Sequence, residues 1–435
     1  MNFCKLLRTC LLISVLMSGS TLVAQNALRL SHLWSRTNVS FDLNRLYNYN
    51  IYERNRWGAG FFLETPLKYD TRYGTLFQNT FYGDIYGAYG TGDRALKGGG
   101  SLQLRFPRYM LQRISVGYMH DIERVGRHDF NSYNIVNTYE NSSYFSSHYS
   151  AIDRLEASVR VDLPGPTAFA FAYRHSAERM LFDAHGLLFP SIDETDALPR
   201  IKYDELLLQM DWGKHLKFEI LAGRWNPYDA TLAEGDRRYL HLFGQYANRL
   251  TLPNNHGVVS LYAQGGTTAT GHTPLSRRFD ISGAGITRYF FNNTFLTVRP
   301  NSFMADGYVT LHLGYAMSRP LWNARLSKPT PFVQVGAMWG TLYGDDVTDG
   351  TGNYHLLTGS PVDASDPYAI AIRAPYQGLL EPAIGIDNLF RWGMLDLGVA
   401  AAYQLTPKNS AYHLDNFSDK FSVMLVAKLV FEYNI

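Results

Sequence analysis

The chain has little cysteine, no long apolar run after its first residues and almost no net charge. Its two cysteines, Cys4 and Cys10, both lie within residues 1–24. Beyond that segment no stretch approaches the 18 consecutive apolar residues that mark a transmembrane helix. The formal net charge of the 435 residues is +2, which argues against nucleic acid as a partner. The sequence therefore predicts a protein without disulfides and without helical membrane spans.

Residues 1–24 have the pattern of a secretory signal peptide. Lys5 and Arg8 supply positive charge, residues 11–17 are apolar, and Leu22-Val23-Ala24 offers a small-residue cleavage site. We expect residues 25–40 to form a short periplasmic segment and residues 41–435 to form the folded domain. Because both cysteines fall in the signal, the mature chain is expected to have none.

Aromatic residues and glycine are abundant. The chain has 30 tyrosines, 25 phenylalanines, 7 tryptophans and 37 glycines. Aromatic girdles at both membrane interfaces are typical of outer-membrane β-barrels, and glycine suits tight turns and close strand packing.

The last stretch of the chain, residues 421–435, alternates strictly. Every second residue from Phe421 to Ile435 is apolar or aromatic, and all the polar residues fall between them. A period of two indicates a β-strand, and the stretch is long enough to cross a bilayer as a tilted strand. Phe431, Tyr433 and Ile435 are predicted to form the barrel-closing signal at its outward face. An inner strand of a soluble sandwich is the alternative interpretation.

Similar alternation recurs throughout the chain and predicts an all-β fold, a transmembrane antiparallel β-barrel of about sixteen strands. The predicted strands lie near residues 41–49, 57–64, 77–90, 96–106, 112–124, 154–163, 168–178, 203–213, 216–225, 237–247, 257–264, 308–319, 330–341, 378–388, 394–405 and 421–433.

The connections between these segments favour a barrel in the outer membrane, where short periplasmic turns alternate with long outer loops. The four longest gaps, near 125–153, 179–202, 265–307 and 342–377, are all odd-numbered connections. They therefore fall on one side of the predicted sheet. The gap at 265–307 is long enough to fold into the barrel, so we expect a closed lumen ahead of an open one.

Several stretches resemble a known family. They are TVRPNSFMADGYVTLHLGYAMSRPLW (297–322), EPAIGIDNLF (381–390) and two segments at 47–66 and 84–93. They resemble the barrel half of large outer-membrane proteins that usually carry an N-terminal carboxypeptidase-regulatory-like domain. That barrel is similar to the bacterial surface-antigen (D15) superfamily. The residues that carry the motif are Arg299, Asn301, Phe303, Asp306, Glu381, Gly385, Asp387 and Asn388.

The resemblance implies a non-enzymatic assembly, translocation or accessory subunit of the outer membrane. Its implied partners are outer-membrane lipid and, during biogenesis, the barrel assembly machinery. The sequence differs from the superfamily in two ways. No accessory domain is expected before the barrel, and Thr287-Arg288-Tyr289-Phe290 lacks the glycine of the superfamily's arginine-glycine-aromatic loop tip.

Candidate chemical sites are few. His120-Asp121 and His128-Asp129 flank Glu123 without fixed geometry, and Ser282 lies in ISGAG, which is not a nucleophile elbow. Lys97 precedes three glycines without the rest of a phosphate-binding loop. We therefore predict no catalytic residue, no cofactor and no metal. A porin for small solutes and, less favoured, an outer-membrane enzyme are the alternative functions.

Overall fold

The computed structural model describes most of the mature chain. The described residues are 37–42, 45–50, 52–70, 76–106, 110–126, 149–181, 200–227, 237–271, 273–281, 295–298, 302–343, 350–355, 359–366, 369–392 and 395–429. None of the helices in these ranges is long and apolar enough to cross a membrane.

Antiparallel strands dominate the described residues. In chain order they are β1 (Asn38–Phe41), β2 (Tyr47–Asn50), β3 (Arg54–Asp70), β4 (Leu76–Gly90), β5 (Leu96–Arg105), β6 (Leu111–Arg124), β7 (Tyr149–Asp162), β8 (Thr167–Leu181), β9 (Ile201–Trp212), β10 (Leu216–Pro227), β11 (Arg238–Thr251), β12 (Gly257–Thr270), β13 (Phe279–Asp280), β14 (Met304–Ala305), β15 (Gly307–Met317), β16 (Thr330–Thr341), β17 (Thr351–His355), β18 (Ala369–Arg373), β19 (Leu379–Trp392), β20 (Leu395–Tyr403) and β21 (Phe421–Leu429).

One large sheet contains all of these except two small hairpins, β13–β14 and β17–β18. Each strand of the large sheet pairs antiparallel with the next one along the chain. β1 and β2 both pair with β3 and act as one interrupted strand, which makes sixteen. All sixteen predicted strands are therefore confirmed. The first strand begins at Asn38, three residues before the predicted start of the barrel.

The interruption in the first strand is a bulge. Phe41 faces Phe61 and Tyr47 faces Trp57, so the chain has five residues between these two pairs where β3 has three. A Cβ atom at position 60 would approach Cδ of Arg45 to 2.7 Å, so the glycine there makes room for the bulge. The weak alternation of residues 41–49 reflects this local break.

The four longest connections all join strand ends at the same end of the sheet. Residues 125–148, 182–200, 271–306 and 342–378 link strands at that end, whereas 163–166, 213–215 and 252–256 link strands at the other. The asymmetry predicted from the sequence is therefore confirmed.

Burial on this sheet is the reverse of that in a soluble protein. Large apolar side chains point outward into solvent, among them Leu206 at 62% exposure and Ile384 at 62%. Charged side chains lie on the opposite face, where Glu156 and Glu219 are buried. On β7 the outward Leu155 alternates with Glu156 and Ser158, as the sequence predicts. A continuous apolar outer face and a polar inner face suit a sheet that crosses lipid.

The sheet curves around the connection between β12 and β15, which we call the lumen loop (residues 271–306). Its described residues contact β9 through Glu205 and β19 through Glu381, strands that lie six positions apart in the sheet. The described residues of this connection lie against the inner face of the sheet, and a closed lumen stays a prediction.

The closing pair of the barrel stays a prediction. Among the described residues, β1 and β2 pair only with β3, and β21 pairs only with β20. Phe421 and Val423 face outward, in the predicted phase. Phe431, Tyr433 and Ile435 lie outside the described residues.

Candidate functional site

The candidate functional site is the surface where the lumen loop packs against the inner face of the sheet, which we call the inner wall. The loop begins at Gly271, makes a short 3-10 turn at Leu275–Arg277 and continues into β13. β13 pairs with β14, where Phe279 faces Ala305, so the two ends of the loop form a small hairpin. All of Leu275–Asp280 is buried.

Arg277 is the principal polar anchor of the loop. Its Nη1 donates to Oε2 of Glu178 on β8 at 2.7 Å, and its Nε donates to Oε1 of Glu205 on β9 at 2.8 Å. The guanidinium also lies over the ring of Tyr203, 4.2 Å from its centroid. Because all three charged groups are buried, losing one would leave the others uncompensated in a low-dielectric interior.

Neighbouring hydroxyls complete this anchor. The Tyr239 hydroxyl donates to Oε1 of Glu205, and Ser150 on β7 donates to Oε1 of Glu178. Tyr203 and Ser276 share a hydrogen bond of 3.0 Å. Each carboxylate therefore accepts from the loop and from the wall, which holds it in the rotamer that meets Arg277.

Arg278 anchors the adjacent side of the loop. Its Nε lies 2.9 Å from Oδ1 of Asp306, and its Nη2 donates to the carbonyl oxygen of Gly359. The guanidinium stacks over Tyr354 at 4.1 Å. Burial raises the pKa of Tyr354 to about 12, so this outer-loop phenol stays neutral beneath the cation. Asp306 also accepts from the backbone N–H of Tyr343, which ties the end of the lumen loop to the start of the next long connection.

A fourth carboxyl group, on β19, holds the far part of the loop. Glu381 on β19 accepts hydrogen bonds from the backbone N–H groups of Leu296 and Thr297 at 2.8 and 2.7 Å, and from the Thr297 hydroxyl. Glu381 is buried, and its carboxyl oxygens accept all three hydrogen bonds from the loop.

A cluster of aromatic rings around Phe279 and Phe295, which we call the aromatic seat, fills the space between these polar anchors. Phe279 is fully buried and packs against His241, Phe243 and Tyr308, with ring centroids 5.1 to 6.2 Å apart. Phe295 packs against His312 at 4.6 Å. The loop is therefore held by apolar packing as well as by ion pairs.

A second polar cluster lies nearer the N-terminal edge of the sheet, and none of the lumen-loop residues that the structure describes belongs to it. Arg56 on β3 donates to both carboxylate oxygens of Asp121 on β6, at 2.6 and 2.8 Å. It also pairs with Glu53 at 3.1 Å. Tyr86 donates to Asp121 at 2.6 Å. Lys97, with Glu53 and Asp93, continues this network.

The motif residues from the sequence fall into three groups. Asp306 and Glu381 anchor the lumen loop, and buried Phe303 packs edge-on against Tyr412 at 5.4 Å. Gly385, Asp387 and Asn388 lie near the irregular stretch of β19, where Asn388 adopts a φ of 51° and the register shifts. Arg299 and Asn301 lie outside the described residues, as does the segment Thr287 to Phe290.

The histidine and acidic residues near the end of β6 do not form one site. His120 faces outward and pairs with Asp153, whereas Asp121 and Glu123 face inward and pair with Arg56 and Arg154. Alternate residues of a strand leave opposite faces, which explains the separation. His128 and Asp129 lie outside the described residues.

Sequence reasoning missed the anchor at Arg277. Half of the interaction could have been found in the sequence, because Glu178 and Glu205 fall among the inward-facing polar residues of two predicted strands. Their partner lies in a connection without periodicity, so only the folded loop identifies it.

No protein-family model matches this chain, and no curated protein matches it. Among solved structures it is similar to CdiB from Acinetobacter baumannii, with a TM-score of 0.39 and 10% identity over 92% of this chain and 67% of that chain. It is similar to BamA from Haemophilus ducreyi lacking POTRA domains 1–3, with a TM-score of 0.46 and 9% identity over 90% and 70% of the two chains.

A third similar structure is the outer membrane protein OprD from Pseudomonas aeruginosa, with a TM-score of 0.30 and 11% identity over 90% of each chain. Because these identities and TM-scores are low, the fold assignment rests on the strand register and the burial pattern described above.

Proposed function

We propose that this chain is an outer-membrane β-barrel of the surface-antigen type whose lumen is closed by its own loop. In this role it acts as a non-enzymatic assembly, translocation or accessory subunit. The observation that carries the proposal is the anchoring of the buried lumen loop by Arg277 to Glu178 and Glu205. A loop held by buried ion pairs obstructs a steady solute path and suits a barrel that opens only when a client or partner displaces it.

Placement in the outer membrane is supported by the outward apolar face and the asymmetry of the connections. The implied surroundings are outer-membrane lipid and, during biogenesis, the barrel assembly machinery. The residues from 25 to the start of β1 at Asn38 are proposed to remain periplasmic, and residues 1–24 to be removed.

A porin for small solutes is the second candidate. It is favoured by the charged inner wall, where Glu156 pairs with Arg174 and Arg160 pairs with Asp211. Charged walls of this kind line aqueous pores as well as closed lumens.

Conductance of the purified wild-type protein in planar bilayers separates the two candidates. Steady, large openings would support the porin and contradict the proposal. Closed traces with brief openings are the expected result. Fractionation of cells and a shift in gel mobility on boiling test the barrel itself. Recovery in the soluble periplasm, or identical migration before and after boiling, would contradict membrane insertion.

Partner identity is best addressed by purification from native membranes under mild detergent. A protein recovered in fixed proportion with the wild-type barrel would identify its client or companion subunit. Recovery of the barrel alone, together with steady pores, would favour the porin.

A further inference from the structure

One connection at the end of the sheet opposite the long connections is itself extended and strongly basic. It joins β15 to β16 through residues 318–329, whereas three other connections at that end have only three to five residues. The segment contains Arg319, Arg325 and Lys328 and no acidic residue, so its formal charge is +3. We call residues 318–329 the basic hairpin.

Hydrogen bonds within the basic hairpin fold it as an extension of the sheet. The backbone N–H of Leu321 donates to the carbonyl oxygen of Pro329 at 2.9 Å, and Ala324 and Ser327 form an antiparallel bridge. The Trp322 indole N–H donates to the Ser327 hydroxyl oxygen at 3.0 Å, which satisfies the polar atom of that ring. The hairpin therefore presents its side chains from an ordered backbone.

The end of β19 holds one arm of the hairpin. The backbone N–H of Lys328 donates to the carbonyl oxygen of Asn388 at 3.1 Å, and the backbone N–H of Arg391 donates to the carbonyl oxygen of Leu326 at 2.7 Å. Asn388 is the residue whose φ of 51° accompanies the register shift of β19. The irregular stretch that carries part of the sequence motif therefore pairs with the basic hairpin.

The apolar side chains of the hairpin are exposed. Leu321, Trp322 and Leu326 are 53%, 51% and 50% exposed. On the outer face of the adjoining strands, Leu313 of β15 and Val333 of β16 are exposed to a similar degree. Exposed apolar residues therefore continue along the chain from the lipid-facing surface into the basic hairpin.

The basic side chains of the hairpin are exposed as well. In the described part of the chain none of the three forms an ion pair through its side chain. The adjacent turn at 252–256 contains no acidic residue. Beside the hairpin, the ends of β19, β20 and β21 contribute equal numbers of acidic and basic residues, which are Asp387, Arg391, Asp396 and Lys428. The net charge of this part of the surface therefore stays positive.

Positive charge combined with exposed apolar side chains favours an anionic membrane surface as the ligand. Tryptophan is enriched at the level of the lipid headgroups, and clusters of lysine and arginine next to a membrane attract anionic headgroups. A soluble acidic segment would satisfy the charges of the hairpin but would leave Leu321 and Leu326 in water.

We propose that the basic hairpin binds the headgroups of anionic phospholipids in the leaflet at the short-connection end of the barrel. The three basic side chains meet the lipid phosphates, and Leu321, Trp322 and Leu326 lie between the headgroups and the upper acyl chains. The inference rests on the proposed insertion of the barrel in the outer membrane.

The test measures lipid retained by the folded mature protein in detergent, by native mass spectrometry. The probes are phosphatidylglycerol and phosphatidylcholine with identical acyl chains. We expect the wild type to retain phosphatidylglycerol more tightly. Arg325→Gln/Lys328→Gln should weaken that binding about thirtyfold, from the usual contribution of two basic side chains near an anionic leaflet, and should leave phosphatidylcholine binding unchanged.

Lys214→Gln is the matched control, because Lys214 is an exposed lysine in the turn between β9 and β10 at the same end of the sheet. It should bind phosphatidylglycerol like the wild type, whereas Lys328→Gln should bind it about fivefold more weakly. Every variant is first checked for the mobility shift on boiling. Absence of that shift in the wild type would overturn the proposed barrel, whereas a normal shift separates folding from lipid binding.

A second measurement locates the hairpin in the membrane without removing any charge. The protein is inserted in phosphatidylglycerol vesicles whose acyl chains carry bromine near the headgroup, because bromine quenches the fluorescence of nearby tryptophan. The difference in emission between the wild type and Trp322→Phe isolates the signal of Trp322. We expect the brominated lipid to quench that signal.

Three results would overturn the inference while leaving the barrel intact. They are equal retention of the two lipids by the wild type, equal loss of phosphatidylglycerol in Lys328→Gln and Lys214→Gln, and unquenched emission of Trp322. Binding of a soluble polyglutamate peptide in place of phosphatidylglycerol, lost in Arg325→Gln/Lys328→Gln, would instead assign the basic hairpin to an acidic protein segment.

Discussion

Two arginines at the inner face of the sheet, Arg56 on β3 and Arg277 on the lumen loop, make similar ion pairs with different consequences. Arg56 lies between Glu53 and Asp121 and links β3 to β6, so it joins two strands of the sheet to each other. Arg277 lies between Glu178 and Glu205 and ties the lumen loop to β8 and β9, so it joins loop to wall. Both arginines join distant parts of the fold, but of the two only Arg277 holds the lumen loop, so only its loss tests the proposed closure.

The largest expected effect concerns closure of the barrel by its last strand. Deletion of Phe431–Ile435, or replacement of Phe431 and Tyr433 by Asp, is expected to abolish membrane assembly, because an unpaired strand edge in hydrocarbon leaves backbone groups unsatisfied. The measurement is the band with boiling-dependent mobility in isolated membranes. Replacement of Glu432 and Asn434 by Ser is the control and should leave assembly intact. The reverse outcome would mean that the strand faces the other way.

The next largest effect tests whether the two arginines stabilise equally. Arg277→Ala leaves Glu178 and Glu205 without the cation that they share, and Arg56→Ala leaves buried Asp121 without its cation while Glu53 keeps Lys97. Each variant should lower the free energy of unfolding by about 3–5 kcal/mol. Urea titration of the barrel in detergent or lipid measures both. A loss confined to one variant would show that the two clusters are not energetically alike.

On the outer face of the sheet, a charged residue should be equally destabilising near the cluster of Arg56 and far from it in the chain. Leu155 on β7 and Val335 on β16 both point outward near the middle of their strands. Leu155→Arg and Val335→Arg should each cost about 2–4 kcal/mol in lipid. Unfolding from vesicles is the measurement, with Leu155→Val and Val335→Leu as controls. Tolerance of arginine at either position would place that strand out of the membrane.

The smallest expected effect concerns the far part of the lumen loop. Glu381→Gln keeps the shape of the side chain but weakens its bonds to Leu296 and Thr297, at a cost of about 1–3 kcal/mol. A single Ser276→Cys reporter, in a mature chain expected to have no other thiol, can be labelled with a maleimide. Labelling should accelerate in Glu381→Gln. An unchanged rate would mean that Arg277 and the aromatic seat hold the turn without help from Glu381.

The strands were predictable from the sequence because one side of each faces lipid and the other a polar lumen. Because of that contrast, residues alternate with a period of two in segments such as β7 and β20. Ala400, Ala402 and Gln404 are buried, as this alternation predicts. The sides on which the long connections fall follow from strand order alone. The bulge between β1 and β2 blurs the period, so the first strand was placed only approximately.

The lumen loop was predictable in its direction but not in its contacts. Its length indicates that it could fold inward, whereas the partners of Arg277 lie 99 and 72 residues away in the chain. The hairpin β17–β18 was missed as well, because its five-residue strands alternate too briefly to stand out. Contacts between a connection and a strand far away in the chain produce no periodic pattern in the sequence, so the sequence alone does not predict them.

The most direct test of the account is single-channel recording of three proteins in planar bilayers: the wild type, Arg277→Ala and Arg56→Ala. We expect the wild type and Arg56→Ala to stay closed with brief openings, and Arg277→Ala to show frequent or sustained openings. Equal opening in both variants would mean that conductance follows stability alone, and a steadily open wild type would contradict a lumen closed by its own loop.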